Sequence, residues 1–109
     1  MWHRRLWLID HGATLYFHHA EGWMDDGARA HAPFTLIKEN VLLRRAGMLA
    51  EIDAAMVALL TPEIIEGIVS LIPEAWLEDG PPQRAAYSRY LIDRLAAPRA
   101  FVEEAIRAR

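Results

Sequence analysis

Residues 49–73 read LAEIDAAMVALLTPEIIEGIVSLIP, and their spacing sets the architecture. Leu49, Ile52, Met56, Leu59 and Leu60 recur every three or four positions, the period of one face of a helix. Thr61-Pro62-Glu63 then supplies a side-chain cap, a proline at the first helical position and an acid in the first turn. Behind it Ile64, Ile65, Ile68, Val69 and Ile72 mark a second helical face, and Pro73 closes it. Two consecutive helices joined at a capped boundary place the chain among mostly α folds.

Working outward towards the C-terminus, Trp76 and Leu77 give the next turn an apolar anchor. Asp79-Gly80-Pro81-Pro82 is a strong break. A longer helix is expected from about Pro82 to Ala96, burying Tyr87, Tyr90, Leu91 and Leu95. Pro98 opens a last helix, with Phe101, Val102, Ala105 and Ile106 inward and Glu103, Arg107 and Arg109 in water. Towards the N-terminus, Glu39 to Arg45 with Val41, Leu42 and Leu43 reads as a short helix. Residues 19–38 change to Gly, Asp, Ala and His around Trp23 and read as a surface loop.

Residues 1–18 behave differently. Leu6-Trp7-Leu8-Ile9 is a short apolar run stopped by Asp10-His11-Gly12, which fits a strand ending in a turn. Ala13 to His18, with Leu15, Tyr16 and Phe17, reads as a second short strand or the start of an irregular lobe. The expected architecture is therefore a short N-terminal strand or β-hairpin followed by four to five helices, in one partial domain over 1–109. A lone hairpin is marginal in water, so this apolar strand calls for sheet neighbours in other sequence or in a partner.

Composition narrows the function classes. The chain has 109 residues, enough for one small core. Its formal charge of −3 leaves no basic footprint for nucleic acid. It contains no cysteine, which excludes disulfides, thiolate nucleophiles and zinc–thiolate sites. The first apolar run is too short for a signal peptide or a membrane helix, so neither nucleic acid nor membrane is an expected partner. The expected location is the cytoplasm, with a bacterial source as the default.

The run Leu6-Trp7-Leu8-Ile9-Asp10-His11-Gly12-Ala13, with Leu15-Tyr16-Phe17-His18-His19 and Trp23, resembles the metal-binding segment of the HipA-like kinases, a bacterial branch of the protein-kinase-like fold. Glu39-Asn40-Val41-Leu42-Leu43, Thr61-Pro62-Glu63, Pro73-Glu74-Ala75-Trp76-Leu77 and Phe101-Val102-Glu103-Glu104-Ala105 resemble the helical tail of the same family. The likeness spans essentially the whole chain and implies part of a kinase-like C-terminal lobe. It implies that Asp10 is the metal ligand, with His11 and Gly12 completing a nucleotide-side triplet. A complete domain of this family would use magnesium and ATP.

Spacing alone reads Asp10 as a turn residue at a strand end, so the two readings of that residue stand side by side. The family's catalytic loop would lie just upstream of this strand, where only Met1-Trp2-His3-Arg4 stand. Neither Lys38, the only lysine, nor Asn40, the only asparagine, is at a matching position. Phosphoryl transfer needs several groups acting together, so the isolated chain is expected to lack kinase activity and to hold no cofactor.

Three readings follow. The first is a truncated or split HipA-like kinase, of which this chain is a C-terminal fragment that is inactive without its N-terminal half. The second is a stand-alone helical interaction module acting through a partner or through self-association at the N-terminal strand. The third is weak magnesium–nucleotide binding without turnover. A transition-metal site using His11, His18 and His19 with Asp10, Glu21, Asp25 and Asp26 is disfavoured, because the adjacent His18 and His19 on a strand face opposite ways. Trp7, Trp23 and Trp76 read as core residues. Ser70 and Ser88 fall inside expected helices without a nucleophile elbow.

Overall fold

The structure is a computed structural model that describes Leu15 and residues 20–109. Those residues are mostly helical, with four α-helices among them: α1 (Leu49–Leu59), α2 (Pro62–Ser70), α3 (Pro81–Leu95) and α4 (Ala100–Ala108). Short 3-10 turns at Trp23–Asp25, Gly27–His31, Thr35–Glu39, Leu43–Arg45 and Glu74–Trp76 join or precede them. The expected strand or hairpin falls on residues 1–18. Apart from Leu15, which sits in a turn, that segment lies outside the described residues.

Local chemistry sets the helix boundaries. Thr61 caps α2, its hydroxyl accepting the Ile64 amide at 3.4 Å, and Pro62 follows at the first position. Gly80 precedes α3 at φ 58° and ψ −136°, a combination that residues with a Cβ avoid. Pro81 then starts the helix with φ already fixed. Arg84 on α3 reaches back to the end of α2, donating to the Val69 and Ile72 carbonyls, both at 2.8 Å. The Val69 carbonyl is among the groups that a helix end leaves without an intrahelical donor, and Ile72 lies just beyond the helix. Pro98 lies in the α3–α4 connection after a cis peptide bond, and α4 begins at Ala100 rather than at the proline.

α3 is the organising element. One side receives Ile65 and Val69 of α2, both buried. Another receives the turns from Trp23 to His31, where Trp23, Ala30, Ala86 and Tyr90 form the buried cluster and Tyr87 and Leu91 pack against it. The Trp23 and Tyr87 rings lie 4.7 Å apart at 37°. Arg94 donates to the Ala30 and Ala32 carbonyls, and Arg89 to that of Met24, tying this segment to α3. The expectation of a surface loop over 19–38 is therefore corrected. Its turns carry two of the core residues, because the backbone carbonyls of the segment are satisfied by arginines from the helix.

A second correction concerns Glu39 to Arg45. No α-helix forms there; a 3-10 turn at Leu43–Arg45 buries Leu43 alone, while Val41 and Leu42 are 89% and 66% exposed. The Asn40 side chain accepts the Leu42 amide at 2.9 Å, a local turn that competes with helix formation. Trp76 also departs from expectation: Leu77 is buried beside it, but the indole is 75% exposed.

Candidate functional site

α1, α3, α4 and the turn Thr35–Glu39 enclose a groove of about 1070 Å³. α1 contributes Leu49, Ile52 and Met56, spaced by three and four, with Leu60 just beyond its end. α3 contributes Tyr90, Leu91 and Leu95; α4 contributes Phe101, Val102 and Ala105; Pro33, Phe34 and Ile37 close one wall, and Leu15 also lines it. The volume is that of a large ligand cavity, but such sites place a few polar groups to orient what they bind.

The charged groups in this lining are Asp53 and Arg94, and both are held by the protein itself. The Asp53 carboxylate accepts from Arg99 Nε at 2.8 and 2.9 Å and from Nη2 at 2.6 Å, a two-pronged pair joining α1 to the start of α4. The hydrogen bonds to Asp53 hold the Arg99 guanidinium above its ordinary pKa, against the opposing effect of desolvation. Arg94 spends its donors on the two carbonyls already named, and its guanidinium stacks 4.5 Å from the Phe101 centroid. The groove can therefore receive apolar surface. Its one cation, Arg94, and its carboxylate, Asp53, are structural.

A second apolar feature lies outside the groove. α2 is apolar on two faces: Ile65 and Val69 point to α3, whereas Ile64, Ile68 and Leu71 are 47%, 56% and 79% exposed. α1 has no fully buried residue, and Leu59 at its end is 63% exposed. Solvent-facing aliphatic residues occur singly on most proteins; a run of them at helical spacing marks a surface that associates.

The residues singled out for phosphoryl chemistry, Asp10, His11 and Gly12, lie outside the described residues, as do His18, His19 and Trp7. Of the disfavoured metal set, Asp26 pairs with Arg29 at 3.0 Å, and no group of three or more His, Cys, Asp or Glu side chains comes together among the described residues. The Ser70 hydroxyl donates to the Gly67 carbonyl at 2.6 Å inside its own helix, as a helical serine does. Trp23 is buried as expected and Trp76 is not. Sequence reasoning missed the Asp53–Arg99 pair, which joins positions 46 apart and leaves no periodic trace. It also missed the burial of Glu104, whose carboxylate accepts from Arg107 Nε at 2.9 Å; that spacing of three was visible as a helical ion pair. Among the described residues, no helix is long and apolar enough to cross a membrane.

Comparison with protein-family models, with curated proteins and with solved structures found no match to this chain.

Proposed function

We propose that this chain is a helical interaction module whose apolar helix faces are completed by another polypeptide. The observation that carries the reading is two exposed apolar sets at helical spacing, Ile52, Met56 and Leu59 on α1 and Ile64, Ile68 and Leu71 on α2 and its end, all 46–79% exposed. The test is thermal unfolding of Ile68→Ser and Leu59→Ser. A docking face tolerates both within about 0.5 kcal/mol, while a face packed inside the fold would lose several times that. A large loss of stability in both would sink the reading.

The resemblance of Leu6 to Ala13 and of the helical tail favours a second reading, in which the chain is the C-terminal portion of a HipA-like kinase domain. The completing polypeptide is then the half that carries the nucleotide lobe and catalytic loop, and magnesium and ATP belong to the assembled domain. Asp10 would supply one metal carboxylate, with His11 and Gly12 beside it, and the chain alone would not transfer phosphate. An upstream coding sequence that carries the catalytic loop would support this reading. Calorimetry with magnesium and ATP giving equal heats for the native chain and Asp10→Ala would remove nucleotide binding by the chain alone.

A further inference from the structure

Leu15 ties the groove to the part of the chain that precedes it. It sits in a turn, partly buried, and packs against the cluster of Trp23, Ala30, Ala86 and Tyr90. The same side chain lines the groove. The backbone on the N-terminal side of Leu15 therefore starts from the groove wall. The run Leu6-Trp7-Leu8-Ile9 ends six positions before Leu15 and holds four large apolar residues with no charge among them. Those four lie outside the described residues.

Reach and chemistry agree. Six extended residues span about 20 Å, whereas α1, with its 11 residues, is about 16 Å long. The run can thus be laid along the groove without rearranging the helices. The groove also favours an uncharged occupant. The Asp53 carboxylate is bonded to Arg99 and the Arg94 guanidinium to the Ala30 and Ala32 carbonyls, so a charged group entering there would compete with bonds the fold already makes. An apolar segment instead meets Ile52, Met56, Leu95 and Val102. Attachment through Leu15 selects the chain's own copy. A short tether gives an effective concentration of about millimolar order, which a free polypeptide in dilute solution does not reach.

We propose that the groove receives residues 6–9 of the same chain, led in by Leu15. This goes beyond the interaction-module reading and divides the apolar surface between two occupants. Ile52 and Met56 are covered from within the chain. Leu59 and the α2 row of Ile64, Ile68 and Leu71, none of which lines the groove, stay available to another polypeptide.

The chain has no cysteine, so a single introduced one can carry a spin label. With the label on Arg5→Cys of the full chain, paramagnetic relaxation should broaden the methyl signals of Ile37, Ile52 and Val102 in the groove more than those of Ile64 and Ile68 on α2. Equal or weaker broadening in the groove overturns the proposal. Spin-labelled chain mixed with isotope-labelled chain that carries no spin label should leave the groove signals sharp. Broadening in that mixture would seat a second copy's segment there instead, and the proposal falls. Trp7→Ser with Leu8→Ser should lower the melting temperature and, at matched helix content, raise the fluorescence of an added anilinonaphthalene sulfonate dye several-fold. A native chain that binds the dye as strongly as this variant would show an open groove and overturn the proposal. Leu59→Ser and Ile68→Ser probe the interaction module at residues outside the groove. A large loss of stability in both, with the groove signals still broadened, sinks the module and leaves this proposal standing. Unchanged stability in both, with the groove signals sharp, overturns this proposal alone.

Discussion

α1 and α3 make an instructive pair. α1, LAEIDAAMVAL, is the more apolar sequence, yet none of its residues is fully buried. α3, PPQRAAYSRYLIDRL, carries three arginines, yet it buries Ala86 and Tyr90 and anchors the core. The difference lies in what each helix meets. α3 is met on one side by α2 and on another by the turns around Trp23, and Arg84, Arg89 and Arg94 bond backbone carbonyls of those neighbours. α1 meets α4 through the Asp53–Arg99 pair, while Ile52 and Met56 remain 53% and 46% exposed. Apolar residues supply a driving force for burial, but only a neighbouring element makes the burial real.

The strongest way to break this comparison is to remove the neighbour of α3. Trp23→Ala empties a buried position against Ala30, Ala86 and Tyr90 and should cost about 4 kcal/mol in urea unfolding followed by circular dichroism. By contrast, Met56→Ala on α1 should cost well under half of that. Equal losses would mean that α1 is as much part of the core as α3.

Adjacent isoleucines on α2 allow a finer test, with residue type and helix held constant. Ile65 is 5% exposed and Ile64 is 47% exposed. Ile65→Ala should cost about 3 kcal/mol and Ile64→Ala less than about 1 kcal/mol. A reversed order would place the α3-facing side of α2 on the wrong residues.

The next effect concerns how α3 holds α2. Arg84→Leu leaves the Val69 and Ile72 carbonyls without their charged donor and should cost about 2 kcal/mol. Arg84→Lys should recover only part of this, because a single ammonium does not reproduce a planar fork that serves both carbonyls. Full recovery by lysine would reduce the contact to simple charge at a helix end.

How much of this was legible in the sequence depends on the range of the causes. The boundary at Thr61-Pro62, the break at Gly80-Pro81 and the buried side of α3 follow from residues a few positions apart, so spacing and caps revealed them. Trp23 was legible as a core residue from its size and apolar ring, but the burial of Ala30 beside it did not show, since 3-10 turns lack the 3.6-residue period and are held by arginines 62 to 65 positions away. Val41-Leu42-Leu43 misled in the opposite direction. Its apolarity suggests a helix, but the Asn40 side chain captures the Leu42 amide in a turn. Neither apolar site was legible. Ile64, Ile65, Ile68, Val69 and Ile72 read as a single helical face, whereas Ile65 and Val69 are buried and Ile64 and Ile68 are exposed; the groove needs the α1–α4 packing, which spacing within one helix does not reveal.

The smallest effect tests whether α2 is set by its own cap as well as by its neighbour. The Glu63 carboxylate accepts from the Thr61 hydroxyl first and from its own backbone N–H second, and these bonds hold its pKa below the ordinary value of 4.5. A carboxyl whose pKa is lowered in the folded chain stabilises it fully above the ordinary value and loses that contribution as pH falls through the folded value. Glu63→Gln removes this term alone, and every other carboxyl titrates equally in both proteins. The gap between their melting temperatures should therefore hold steady from neutral pH down to about 4.5 and close below it. Thr61→Ala should lose the same acid-dependent term and, in addition, the bond to the Ile64 amide, a pH-independent cost of about 1 kcal/mol. If the gap for Glu63→Gln stays constant into acid, the cap contributes nothing through the carboxylate and rests on the Thr61–Ile64 bond alone.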